Sequence, residues 1–552
     1  MIYGDIVCLV IAVLLAAILY GLADYAMKVK SSKWRLCYAV PAIWVLVCIG
    51  FVGFEVCMAG VYVGATILLV GFFNEKVVIR KLVSIVAVIS VFMSLMLCLN
   101  IPSYRMYDFT DDFRRGFEEM KTHYVLTEHK NIDWDALYEE YSPRFEEADA
   151  NCDKVAATAA WMEFAMEFHD GHVSFSPSDD EVTTQALNVM YGNDYGLSLM
   201  QLEDGTVVAV QVECGSLAEQ AGISNGTVVT AWDGMEIEDA MEKAKEEMPS
   251  LFGFASIENE EFYSAIPVAG MGGKSLKVSY LDEQGVQQET TLIAQGAYAD
   301  RWQDAVECID KGVEISNLEW QYVNDNTALM RMRFMMYDAQ ANHSEMEAQI
   351  REQLLALKKE GVENIIFDLR SNGGGSGLYV KHILKLIAPE GEHIYAYDGV
   401  FDTETVTYLK DEEATKTAGG VRYQAGGCST YQGEDLWAHG KIIVLVNAQT
   451  GSAGDHFTML ASNYPNVTVM GFTHTGCAAQ GVNSVQFDYG QLSYSGALLV
   501  NEDGSVFIDT AEMRRATVPL DVKIPFDETA VQAIFQDRED YVLDYAVNYL
   551  NQ

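Results

Sequence analysis

The stretch from Lys441 to Ala461 constrains this chain more than any other. Lys441-Ile442-Ile443-Val444-Leu445-Val446 is a continuous apolar, largely β-branched run that reads as a buried strand. Asn447-Ala448-Gln449-Thr450-Gly451-Ser452-Ala453-Gly454-Asp455 follows, and His456-Phe457-Thr458-Met459-Leu460-Ala461 then reads as a helix. Ser452 therefore sits on a tight strand-to-helix turn, and its small neighbours Gly451 and Ala453 leave its hydroxyl reachable. The helix N-terminus offers unpaired N–H groups and a partial positive charge, which suit a developing oxyanion. Two readings stand at this point. Ser452 is either a nucleophile or an N-cap, with Asp455 three residues on completing a capping-box-like start.

The charge is divided unevenly. The first 101 residues are very apolar and contribute +3 to a total of −43, which leaves the remainder at −46. Such a surface repels nucleic acid, and that class of partner is excluded. Four apolar segments predict membrane spans: residues 5–26, two within 36–73 turning near Gly53-Phe54-Glu55, and 82–101. Lys28, Lys30, Lys33 and Arg35 follow the first span, and Lys76, Arg80 and Lys81 precede the fourth. Both clusters belong on the cytoplasmic side, so the expectation is a multi-pass protein of the cell membrane, with everything after residue 101 extracytoplasmic. The lipid bilayer is then a partner. The ten cysteines include five scattered beyond residue 101, with no CxxC pair, so neither a disulfide scaffold nor a metal site is expected.

Residues 102–185 read as mainly helical. Phe109, Phe113 and Phe117 share one face, and Asp133 is a candidate cap. Ala156–Phe168 is strongly helical and ends at His169-Asp170-Gly171-His172. His172 thus lies just beyond a helix C-terminus, a place that raises an imidazole pKa against the lowering effect of burial. His169 and His172, three apart, lack a third metal ligand at sensible spacing.

Residues 190–297 have a β texture. Gly196-Leu197-Ser198-Leu199 leads into the strand pattern Thr206–Val212. Gly215–Ile223 is a short helix with a glycine stop, and Val228–Gly234 is a strand with a turn. This order resembles a PDZ domain. The resemblance implies that Gly196, Leu197, Ser198 and Leu199 form a loop whose N–H groups hold a peptide C-terminus. From 298 to 552 strands and helices alternate: Thr327–Phe334, a helix over His343–Lys359, Asn364–Arg370 running into Ser371-Asn372-Gly373-Gly374-Gly375, Lys441–Val446, and Val467–Gly471. The last helix is predicted over about 529–549. Parallel sheets of this kind place ligands at the carboxyl ends of their strands, where both Gly374 and Ser452 fall. The glycine run lacks the Lys-Ser/Thr of a phosphate-binding loop.

Taken in order, Asp-Gly-His, the PDZ-like insert, Asp-Leu-Arg-Ser-Asn-Gly-Gly-Gly and Thr-Gly-Ser-Ala-Gly-Asp resemble the C-terminal processing (tail-specific) serine peptidase family, which includes the tricorn protease core. The resemblance covers nearly all of 105–550. Through it Ser452 falls on the nucleophile, and the N–H groups of Gly374 and Ala453 fall on the oxyanion hole. Ser-Lys members carry a lysine where this chain has Cys477 in Gly471-Phe472-Thr473-His474-Thr475-Gly476-Cys477-Ala478. A serine needs a base, so the tricorn-like Ser-His arrangement is implied instead, with His172 as base and Glu512 as the group orienting it. His474 is a spare base, and Cys477 an alternative nucleophile.

The expected fold is an α/β peptidase domain, a parallel-strand-containing sheet with helices. To it are added an inserted PDZ-like β domain, an N-terminal helical region and a four-helix transmembrane segment. The boundaries are 1–101, 102–185, 190–297 and 298–552. The expected activity is a membrane-anchored serine endopeptidase acting on peptide or protein substrates, without cofactor or metal. Its rival is a catalytically inactive, peptide-binding receptor or scaffold. The sequence fixes neither oligomeric state nor cleavage preference.

Overall fold

The computed structural model describes residues 108–248, 253–310, 318–336, 343–402, 407–409 and 428–552. Helix α1 (Phe109–His123) carries Phe109, Phe113 and Phe117 on one buried face, as their spacing predicts. Phe113 stacks at 4.4 Å on Phe145 of α2 (Trp134–Asn151). Asp133 caps α2 by accepting from the Ala136 N–H at 3.0 Å, again as the sequence predicts. Helix α3 (Lys154–Met166) adds Trp161 and Phe164 to the same aromatic cluster.

In the middle of the chain, β1 (Ser198–Gln201) and β2 (Val207–Val210) form an antiparallel hairpin. Beside it, β3 (Val229–Trp232), β4 (Ser275–Leu281) and β5 (Gln287–Ile293) make an antiparallel sheet, with the short strand Met235–Glu236 on its edge.

The core sheet has six strands whose spatial order follows the sequence: β6 (Leu318–Asn324), β7 (Thr327–Met332), β8 (Asn364–Asp368), β9 (Lys441–Leu445), β10 (Val467–Gly471) and β11 (Val522–Lys523). β6 is antiparallel to β7, and every other neighbour is parallel. Helices α4 (His343–Glu360), α5 (Gly377–Ile387) and α6 (Ala453–Ala461) lie along the crossovers. Alternate strand residues serve opposite faces. Ile365, Phe367, Ile442, Val444 and Val469 pack with Ile350 of α4, Leu384 of α5 and Phe457 of α6. Ile366, Ile443, Leu445 and Met470 share a core with Leu199 of β1, Val208 of β2 and Leu543 of α7 (Tyr541–Leu550). A sheet buried on both faces needs the near-continuous apolar runs that made these strands legible.

Two expectations are corrected. The fold was expected to include a four-helix transmembrane segment. Among the described residues no helix is long and apolar enough to cross a membrane, and the segments on which that expectation rested lie in 1–101, outside the described residues. The single last helix is also divided. Glu528–Val531 runs into a π turn, Gln532–Gln536, and Arg538 at φ 59° cannot continue a right-handed helix, so α7 starts afresh with Asp540 as its cap.

Candidate active site

The turn after β9 is built by side chains that bind backbone. Asn447 Oδ1 accepts from the Ser371 N–H at 2.9 Å, joining this turn to the glycine loop after β8. The Thr450 hydroxyl donates to Leu369 O at 2.7 Å, and the Gly451 N–H to Asn372 O at 2.9 Å. Ser452 is thereby held at φ 55°, ψ −116°, at the N-terminus of α6. An L-residue pays about 1–3 kcal/mol for such a conformation, which persists only where its surroundings enforce it. Its side chain makes no capping hydrogen bond, so the N-cap reading fails. The hydroxyl is partly exposed on a strained strand-to-helix elbow, the geometry that presents a nucleophile in hydrolases.

The glycine loop approaches Ser452 more closely than a side chain allows. A Cβ on Gly374 (φ +96°) would stand 2.5 Å from Ser452 Cβ and 2.8 Å from the Ala453 nitrogen. Only glycine fits. The Ala453 N–H is the first of α6 and has no intrahelical acceptor. The Gly374 N–H donates to Asn372 Oδ1 at 3.0 Å in this structure. Asn372, fully buried, is itself fixed by its amide donating to Met332 O at 2.9 Å.

The structure brings His172 to the same place by way of residues 478–480. Ala478 O accepts from the Ser452 N–H at 2.8 Å. Gly171 sits against the same residue, since a Cβ there would lie 3.1 Å from Ala478 Cβ. The His172 ring lies beside the Gln480 backbone, half-buried, with Nδ1 enclosed and unpartnered. Burial lowers its pKa, with the charge of Asp170 and the Gln480 backbone pulling weakly the other way. The expected rise from a helix end does not arise, because α3 stops at Met166. The imidazole is therefore neutral at pH 7, as a base must be. No hydrogen bond joins it to Ser452 Oγ here; such contacts often tighten only once substrate is bound.

Glu512 does not complete this arrangement, and that expectation is corrected. It is exposed, its carboxylate faces Asn131 Nδ2 at 3.5 Å, and its N–H reaches His129 O at 3.3 Å. The carboxylate beside His172 is that of the buried Asp170, which accepts from the His172 backbone N–H at 2.9 Å, from Ser495 Oγ at 2.8 Å and from Tyr124 Oη at 3.0 Å. The neighbour on the other side is His456, one turn along α6. Its Nδ1 meets Tyr395 Oη at 2.5 Å, its Nε2 is buried without a partner, and burial lowers its pKa to about 3. The sequence signal for Asp170 was present in Asp-Gly-His; nothing in local pattern marked His456.

The remaining candidates have other partners or surroundings. His474 Nδ1 meets Val518 O at 3.2 Å. The Cys477 thiol is fully buried and pushed up to about 11 by that burial, so it is no nucleophile at neutral pH. His169 Nδ1 meets Phe254 O at 3.1 Å, and its Nε2 meets Arg514 at 3.2 Å, which leaves no ring nitrogen for a metal. Lys130, which is buried, is taken up by Asp509 at 2.7 Å, His169 O at 3.0 Å and Thr510 O at 2.8 Å.

The peptide-binding loop is not open. Leu197, Ser198 and Leu199 are completely buried. The Gly196 N–H is taken by Asp194 Oδ1 at 2.8 Å, and the Ser198 hydroxyl by Tyr298 Oη at 2.6 Å. β1 packs on the 3₁₀ turn Ile266–Gly270.

Residues 326–513 match the model for peptidase family S41, and residues 107–153 match that for the tricorn protease C1 domain. No curated protein matches the chain. Among solved structures, mature CPAF complexed with lactacystin is similar at 13% identity and a TM-score of 0.52, over 81% of this chain and 99% of that one. Mature CPAF is similar at 13% identity and a TM-score of 0.50, over 81% and 98%. At such identity the likeness is one of fold. A photosystem II D1 C-terminal processing protease also matches, at 14% identity and a TM-score of 0.33, over 78% and 98%. The family S41 match spans β7 through β10 and both active-site loops, and the chain is a serine-type peptidase.

Proposed function

We propose that this chain is an endopeptidase whose nucleophile is Ser452 and whose general base is His172. The single observation that carries the reading is the strained, uncapped backbone of Ser452 at φ 55°, ψ −116°. His172 takes the Ser452 proton as Oγ attacks a peptide carbonyl. The N–H groups of Ala453 and Gly374 meet the oxyanion, with Gly374 exchanging its bond to Asn372 for the new charge. His172 then protonates the leaving amine, and water hydrolyses the acyl-enzyme. Residues 190–297 we read as PDZ-like from the order of their elements, without a carboxylate-binding role for Gly196, Leu197, Ser198 and Leu199.

Fluorophosphonate labelling of the full chain tests the proposal. Labelling that Ser452→Ala abolishes and His172→Ala reduces at least about 100-fold supports it. Labelling that survives Ser452→Ala sinks it, and labelling untouched by His172→Ala moves the base elsewhere.

A further inference from the structure

The geometry points to Asp455 as the positioning residue that holds the base-bearing side of the site in register with the nucleophile. This inference rests on the assignment of Ser452 and His172. Asp455 lies three residues after Ser452 on α6, is fully buried, and takes no part in the proton transfers. Both of its oxygens are spent on a segment from another part of the chain. Oδ1 accepts from the Cys477 N–H at 3.0 Å, and Oδ2 from the Ala478 N–H at 3.1 Å. Cys477 is at φ 53°, the conformation that turns successive N–H groups toward one anion.

That segment carries what fixes His172 against Ser452. The Ala478 carbonyl returns to the Ser452 N–H at 2.8 Å, and the Gly476 N–H docks on Thr450 O at 2.7 Å. Gly171 rests on Ala478, and the backbones of Ala479 and Gln480 lie beside His456 and His172. A carboxylate can accept from both N–H groups at once. An amide cannot, because its NH₂ would face one of them.

The groups facing this carboxyl are the Thr475 hydroxyl, the Cys477 thiol and the N–H groups of Ser452, Cys477 and Ala478. Burial raises its pKa to about 7, against the pull of those donors. As pH falls through that value the carboxyl gains a proton, one oxygen becomes a donor opposite an N–H, and the 475–480 segment loosens. Activity accordingly falls with acidification earlier than titration of His172 alone dictates.

The test is the pH dependence of fluorophosphonate labelling in the full chain, scaled to folded protein, with peptide turnover where a substrate is in hand. Asp455→Asn is expected to lower the labelling rate at least about tenfold at pH 8, to lower kcat with little change in KM, and to erase the limb near pH 7. Thr475→Val, which keeps the side-chain shape and removes one donor, is expected to move that limb upward. An Asp455→Asn protein that melts lower but labels at the wild-type rate with the wild-type pH profile has a merely structural aspartate, and overturns the inference. If Asp455→Asn fails to fold, an unmoved limb in Thr475→Val overturns it equally. Labelling that does not need Ser452 defeats the underlying assignment instead, and is told apart by Ser452→Ala run alongside.

Discussion

At the scale of single residues, the site depends on two that adopt backbone conformations denied to most side chains. Gly374→Ala forces a Cβ at φ +96° to within 2.5 Å of Ser452 Cβ. The loop must retreat and take its N–H with it. Loss of one oxyanion donor costs about 10²–10³ in kcat, so the variant is expected to fold, to retain Ser452, and to lose labelling by that factor. Labelling at the wild-type rate would remove Gly374 from the oxyanion hole. The base sets a second expectation. Burial holds the His172 pKa below its usual 6.5, so the imidazole takes a proton only below that value. In an Asp455→Asn background, kcat/KM should be flat above pH 6.5 and fall below it; an inflection above 6.5 would mean that some other group is titrating. The serine, the histidine and the glycine were all legible, because each sits in a short motif at the end of an apolar run. Asp455 was visible too, but as a capping residue. Its use of both oxygens on residues 477 and 478, 22 and 23 positions away, has no local signature. Glu512 was misplaced for the opposite reason. It lies in an irregular loop, where no periodicity fixes the direction of a side chain.

Elements show where pattern and packing part company. Gly-Leu-Ser-Leu was read as an open loop from its order in the chain. In the fold its two leucines, Leu197 and Leu199, belong to a core shared with the central sheet, and Tyr298 Oη takes the Ser198 hydroxyl. Alternation tells a strand which faces it has. It does not tell whether the strand is packed against a 3₁₀ turn some 70 residues later. Ser198→Ala accordingly removes a buried hydroxyl from a Tyr298 Oη that keeps its bond to Ile266 O at 2.9 Å. The expected result is a loss of about 1 kcal/mol of stability by denaturant unfolding, with kcat and KM on extended peptides unchanged. A raised KM with unchanged stability would return this loop to substrate binding.

For the described body as a whole, the site is held from beneath by a buried four-charge network that ties β8 to the final helix. Arg370 donates to both oxygens of Asp368 at 2.8 and 2.7 Å and to Asp540 at 2.8 and 3.0 Å, while Arg331 spans the same two carboxylates at 3.2 and 3.0 Å. Asp540 also caps α7, accepting from the Leu543 N–H at 3.2 Å. Arg370 and Asp368 belong to the Asp-Leu-Arg-Ser motif, so half of this network was legible. Asp540, 170 residues further on, was not. Although burial opposes it, the two guanidiniums hold Asp540 down at about 2. A carboxylate whose pKa is lower folded than unfolded stabilises the fold above its unfolded value, near 3.8, and that contribution is lost as pH falls toward 2. Asp455 and Asp509, both raised by burial, shift the wild-type curve in the opposite sense, so the informative quantity is a difference between proteins. Asp540→Asn keeps a competent cap but leaves the two arginines sharing the single carboxylate of Asp368, at a cost of about 3–5 kcal/mol at pH 7. That gap between wild type and variant, measured by urea unfolding, should hold from pH 7 to pH 4 and narrow by on the order of 2 kcal/mol between pH 4 and pH 2. A gap that stays constant to pH 2 would mean the arginines do not depress Asp540, and the tie between β8 and α7 would then have to be carried by apolar packing alone.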